Sequence, residues 1–168
     1  MTENTLITAT QLRAILHYTP ETGTFTWLTS NPGHRAGAVA GCRIGPRGYQ
    51  GIRIGGHRYV THRLAFLWIE GRWPRDEIDH VNGNTADNRW CNLREATRVQ
   101  NLANAPISAR NTSGFKGVHW DRRRRKWRAA LRHNGRQLDL GFFDNPVHAA
   151  CAYHAAALLH CRDFARAV

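Results

Sequence analysis

Residues 78–101 read IDHVNGNTADNRWCNLREATRVQN, with asparagine at positions 82, 84, 88, 92 and 101. Side chains of Asn, Asp and Gly favour turns and compete with helical hydrogen bonding, so no long helix can run through this stretch. The remaining signals leave little freedom. Glu77 to Val81 predicts a short strand, Asn82-Gly83-Asn84 a loop, and Arg89 to Arg94 a return strand. Thr97-Arg98-Val99-Gln100 is then a capping box that opens a helix carrying Asn101 and stopping before Pro106. The unit reads strand, loop, strand, helix: ββα.

Neighbouring residues of a regular strand point to opposite faces, so Asp79 and His80 address one site only if the chain bends directly after them. The glycine-bearing loop supplies that bend, and Asn101 on the new helix can face back across the hairpin. A carboxylate, an imidazole and an amide carbonyl would then surround one small volume. This set suits metal-assisted phosphodiester hydrolysis. Carboxylate and amide oxygens are hard ligands for Mg²⁺ or Mn²⁺, and a neutral imidazole takes a proton from water. Asn82, Asn84, Asp87 and Asn88 read as turn-formers. Arg89, Arg94 and Arg98 lie where a phosphate would be held.

Charge narrows the partner. Basic residues number 24 against 12 acidic ones, and all but Lys116 and Lys126 are Arg, whose planar fork matches phosphate and the guanine edge. Double-stranded DNA is the expected partner, and no membrane is expected, since no apolar run approaches the roughly 18 residues that crossing requires. The start, MTENTLITATQLR, lacks the basic-then-apolar pattern of a leader. Cys42, Cys91, Cys151 and Cys161 form no C-x-x-C pair, which points to reduced thiols and no structural zinc.

Upstream, Thr8 and Gln11 have capping-box spacing before the stripe Leu12, Ile15 and Leu16. Pro20-Glu21-Thr22-Gly23 reads as a turn, and Thr24 to Leu28 as a strand. Tyr49 to Ile54, Gly55-Gly56 and His57 to Thr61 predict a hairpin, followed by a helix from His62 to Gly71. Residues 107–113 lack periodicity and read as a linker. Beyond it, Phe115 to Trp120, Lys126 to Arg132 and Arg136 to Phe143 predict three strands, the last two joined at Asn134-Gly135. Asn145 and Pro146 open a small-sided helix. One sheet face would pack on that helix. The other, with the turn after Asp121, would present Arg122, Arg123, Arg124, Arg125, Lys126, Arg128 and Arg132.

Two resemblances follow from these residues. D-H-x-N-G-N-x-x-D-N-R-x-x-N-L-R followed by Q-N, over Ile78 to Asn104, resembles the HNH endonuclease superfamily, specifically phage-type homing endonucleases with a ββα-metal site. G-Y-x-x-I-R-I-x-G-x-x-Y-x-x-H-R-L-A upstream is similar to what precedes the motif there. The resemblance implies His80 as general base, Asp79 and Asn101 as ligands of one Mg²⁺ (or Mn²⁺), and Asn92 as the structural Asn that ties the loop. It further implies hydrolysis to 5′-phosphate and 3′-hydroxyl ends in the cytoplasm of a bacterial or phage-infected cell. S-G-F-K-G-V-x-W, K-W-R-A-A-L and L-G-x-F resemble an APETALA2-type DNA-binding domain. That implies base reading by Lys116, His119 and Arg132, although Ala130, Gln137, Asp139 and His154 depart from the family pattern.

The expected class is therefore α+β. A ββα-metal HNH module with an added hairpin and helix would occupy residues 1–106, with its core at 77–105. A three-stranded antiparallel sheet packed on one helix would occupy 114–168. As a monomer such a protein nicks; as a homodimer it cuts both strands. A DNA-binding regulator with an inactive nuclease motif is the competing class, and an RNA-binding module a weaker third.

Overall fold

The computed structural model describes residues 6–133, 135–161 and 164. The chain forms two compact units, Met1–Glu95 and Ala96–Val168. The expected hairpin turn at Asn134 and most of the closing segment CRDFARAV lie outside the described residues.

The first unit opens with α1 (Ala9–Ile15), whose cap Thr8 exchanges hydrogen bonds with Gln11 as the capping-box spacing implies. The helix gives out one residue before expected. Leu16 adopts extended backbone and starts β1 (Leu16–Thr19), which turns through Pro20 to Gly23 into β2 (Thr24–Trp27). These two strands and the short β3 (Val39–Ala40) form one sheet, in order β1-β2-β3. A second sheet joins β4 (Cys42–Ile44), β5 (Tyr49–Ile54) and β6 (His57–Val60). The predicted Gly55-Gly56 hairpin connects the last two in register, Ile54 opposite His57. Then α2 (Thr61–Glu70) ends at Gly71.

These elements enclose one core. Leu12, Leu16, Tyr18, Phe25, Ile52, Leu64 and Leu67 are fully buried in it. Each large apolar side chain taken out of water contributes about 1.5–3 kcal/mol before its ordering entropy is subtracted. The core's edge carries β7 (Glu77–His80) and β8 (Leu93–Ala96), a two-stranded sheet. The expected return strand from Arg89 begins later, because Trp90–Asn92 coils into a 3₁₀ turn closed by Asn92 N–H to the Arg89 carbonyl at 2.9 Å.

Glu95 anchors β8 to the segment that follows α2. Its carboxylate accepts from Arg72 at 3.2 and 2.9 Å and from the Arg75 amide at 2.5 Å. The Arg72 bond first, then the Arg75 amide, lower the Glu95 pKa from 4.5 to about 2. A carboxylate with a depressed folded pKa contributes stability that is complete above its unfolded pKa and lost as pH falls toward the folded one. Melting temperature is therefore expected to fall between about pH 4.5 and pH 2. Glu95→Gln, followed by circular dichroism, should flatten the profile in that window and lower the melting temperature at pH 7.

In the second unit, α3 (Arg98–Asn104) starts on the Thr97–Gln100 capping box. Lys116 meets the end of this helix within the unit. Its ammonium donates to the carbonyl of Ala103 and, at 2.6 Å, to that of Ala105, closing the C-terminal end of α3.

The sheet follows as β9 (Val118–Asp121), β10 (Lys126–His133) and β11 (Arg136–Phe143), in order β11-β10-β9. β9 starts three residues later than expected. The Ser113 hydroxyl lies 3.0 Å from the Phe115 carbonyl and 2.8 Å from that of Val118, which holds 115–117 in a turn. Gly117, at φ +68°, completes that turn, and an added Cβ there would sit 2.1 Å from the Tyr153 ring. A register shift at Ala129/Ala130 leaves an extra residue on β11. α4 (Pro146–Cys161) is capped by Asn145 Oδ1, which accepts from Val147 N–H at 2.7 Å. Ala149, Ala157 and Cys161 are its buried residues, and Val118 and Ala129 pack with Ala149.

Candidate active site

The loop between β7 and β8 is shaped by its own side chains. Asn82 Oδ1 accepts from Asn84 N–H at 2.8 Å and Asn84 Oδ1 from Ala86 N–H at 3.1 Å, two successive Asx turns. Asn92 spans the loop from inside: its Oδ1 accepts from Asn82 N–H at 2.9 Å, and its Nδ2 donates to the Asp87 carbonyl at 2.7 Å. The hairpin closes above it through Val81 N–H to the Asn92 carbonyl at 2.9 Å.

The rest of the unit grips this loop from two sides. On one side, Tyr18 Oη donates to the Asn88 carbonyl at 2.7 Å and Trp90 N–H to the Pro20 carbonyl at 2.9 Å. Burial raises the pKa of the Tyr18 phenol, which keeps it protonated as a donor. On the other side, Thr85 Oγ1 donates to the Arg47 carbonyl, in the turn between β4 and β5, at 2.6 Å.

Asp79 and His80 close β7 and are 3% and 4% exposed. The Asp79 carboxylate carries an ion pair in which Arg94 Nε and Nη2 approach Oδ2 at 2.9 and 2.8 Å. The His80 ring lies between His62, edge-on at 5.0 Å, and Tyr49 at 6.0 Å, with Nε2 3.4 Å from Asn88 Oδ1. Burial is the main influence on its pKa and lowers it, against the opposing Asn88 contact and the Asp79 charge. His80 is thus held neutral near pH 7, the form that accepts a proton. His62, on the first turn of α2, is pushed down to about 3 by burial first, then by His80 and Arg63.

The arginines expected at phosphate have partners within the protein. Arg94 holds Asp79, and Arg89 grips Asp87 with Nε at 2.8 Å and Nη2 at 2.6 Å. The reason is local: the turn that ends the loop sets Asp87 two residues before Arg89, and β8 sets Arg94 beside β7. Asn101 and Arg98 stand on α3 in the second unit. Among the described residues, no three His, Cys, Asp or Glu side chains gather as a metal site.

Of the residues expected to meet DNA in the second unit, Arg122, Arg123, Arg124, Arg125, His119 and Arg132 are exposed. The Arg122–Arg125 turn is organised by Asp121, which accepts from Arg124 N–H at 2.8 Å, and Arg125 sits at φ +52°. Arg128 is tied back to Asp139 at 2.9 Å. Lys116 departs from expectation, since its ammonium serves the end of α3 instead of projecting from the sheet.

Sequence reasoning assigned Asn88 to the turn alone and gave Tyr49 and Gln50 no role near His80. Asn88 is indistinguishable by spacing from the turn-forming asparagines near it, and only its 2% exposure sets it apart.

A two-stranded hairpin whose Asn-bridged loop presents an Asp-His pair defines a nuclease-type site. The family model for HNH endonuclease matches residues 59–103, and the chain belongs to that family. Protein 3.8 of Escherichia phage T7 is 35% identical to it over 89 residues, 53% of this chain and 73% of that protein. No solved structure matches the chain. The domain implies a nuclease that binds DNA. Among the described residues, no helix is long and apolar enough to cross a membrane.

Proposed function

We propose that the protein is a site-directed DNA endonuclease that nicks one strand by metal-assisted hydrolysis at Asp79, His80 and Asn101. The observation that carries this reading is the buried His80 directly beside the ion-paired Asp79 within the HNH match. Asp79 fits a hard divalent ion: its oxygen already takes a cationic group, the Arg94 guanidinium, in a nearly water-free place. Asp79 and Asn101 would hold one Mg²⁺ or Mn²⁺, which when bound neutralises charge on the phosphate and the leaving oxygen.

His80 removes a proton from water as the water oxygen attacks phosphorus. The P–O3′ bond breaks and the 3′ oxygen takes a proton from solvent. The products carry 5′-phosphate and 3′-hydroxyl ends. Asn92 keeps the loop at the length and curvature that let His80 face the phosphate.

The basic sheet of the second unit supports binding of duplex DNA in the manner of APETALA2-like domains, through Arg122 to Arg125, His119, Arg128 and Arg132. Phosphate contacts by these groups give the affinity a steep salt dependence. A regulator with a silent nuclease motif is the other reading, and the intact set of Asp79, His80 and Asn101 weighs against it.

The deciding experiment is relaxation of supercoiled plasmid. In Mg²⁺ the protein should yield open circles that DNA ligase reseals, and in EDTA none. Binding without nicking in Mg²⁺ would establish the regulator instead.

A further inference from the structure

Asn88 is held through its main-chain carbonyl and its side-chain amide. Its carbonyl accepts from Tyr18, and its Nδ2 donates to the Ala86 carbonyl at 3.3 Å and to Gln50 Oε1 at 3.3 Å. A main-chain carbonyl can only accept, so Ala86 determines which end of the Asn88 amide is nitrogen. The other end, Oδ1, is the one 3.4 Å from His80 Nε2. A carbonyl oxygen cannot donate, so a neutral His80 satisfies this contact only with its hydrogen on Nε2. Its lone pair then lies on Nδ1. His62 and Tyr49, in ring contact with His80, restrict rotation of the imidazole away from this arrangement.

We propose that Asn88 is a positioning residue for His80, locking the imidazole in its Nε2–H tautomer so that Nδ1 is the atom that takes the proton from water. The proposal rests on the reading of His80 as general base. It also gives Gln50 and Ala86 a use: they orient the amide that orients the base. Partners of this kind, one step removed from the reacting groups, typically change activity by about 10–100-fold when removed.

The test is nitrogen-15 NMR of the full-length protein labelled at histidine, without metal or DNA, at a pH where the imidazole is neutral, with His80 assigned by comparison with His80→Ala. The wild-type His80 should show a protonated Nε2 and an unprotonated Nδ1. In Asn88→Ala the two shifts should move toward a mixture of tautomers. Nicking should then lose about 10–100-fold in kcat with KM for DNA unchanged, a split that mere loosening of the fold would not produce. A proton on Nδ1 in the wild type overturns the proposal whether or not the variant folds, as does an Asn88→Ala protein with unaltered tautomer and full kcat. Full-rate nicking by His80→Ala would instead overturn the role of the base while leaving the spectrum as expected, so the two failures are told apart.

Discussion

Replacing His80 with alanine is expected to slow nicking of supercoiled DNA by about 10²–10⁴-fold, the usual worth of a positioned general base, while duplex binding in a gel shift stays as in the wild type. The asymmetry follows from location. His80 is almost wholly buried among His62, Tyr49 and Asn88, whereas the exposed arginines proposed to hold phosphate belong to the turn and sheet of the other unit. Loss of the imidazole leaves a small void, for which a stability cost of about 1–3 kcal/mol is ordinary. A thermal melt run beside the nicking assay separates that cost from the loss of chemistry. A mutant that nicks at the wild-type rate would remove His80 from the mechanism.

The second large effect is expected far from His80 in sequence. Gly23 lies at φ +72°, and an added Cβ would sit 2.3 Å from the Asn88 carbonyl carbon and 2.4 Å from the Arg89 nitrogen. Both atoms are backbone, so no side chain can swing aside. Gly23→Ala combines a left-handed conformation, which costs an L-residue about 1–2 kcal/mol, with overpacking worth roughly 1–3 kcal/mol. Denaturant unfolding should therefore show a loss of about 2–5 kcal/mol from these two terms. Nicking should fall more than the folded fraction explains, because the nearest displaced atom, the Asn88 carbonyl carbon, belongs to the residue that faces His80. Gly55→Ala is the contrasting variant: its φ is also positive, at +55°, but its Cβ would meet nothing within 4 Å. Equal losses in both variants would show that strain alone, and not the grip on the loop, governs Gly23.

Much of this arrangement was legible in the sequence because it depends on local signals. Capping boxes at Thr8 and Thr97, the Gly55-Gly56 turn and the Asn145-Pro146 helix start are short-range chemistry that spacing alone reveals. The Asp-His pair and the loop asparagines are equally local, and the family match falls on them. What escaped is tertiary. Leu16 reads as the last apolar position of a helical stripe, yet it is drawn into β1, where it pairs with Trp27. Nothing near Pro20–Gly23 announces that this turn packs on residues 88–90. Lys116 resembles a base-reading residue, but its amine finds two carbonyls at the end of α3, a partner set that spacing does not encode. Arg89 and Arg94 look like phosphate contacts by position, and acquire carboxylate partners only once the hairpin is folded.

The proposed hydrolysis depends on Asp79 and Asn101 both serving one divalent ion, and calorimetric titration of the intact protein with Mn²⁺ tests that proposal without reference to activity. The expected result is one ion bound per chain in the wild type, with affinity reduced about tenfold or more in both Asp79→Asn and Asn101→Ala, since each removes one of the few protein oxygens that hold the ion. Undiminished Mn²⁺ affinity in either variant, with the fold intact by circular dichroism, would contradict it.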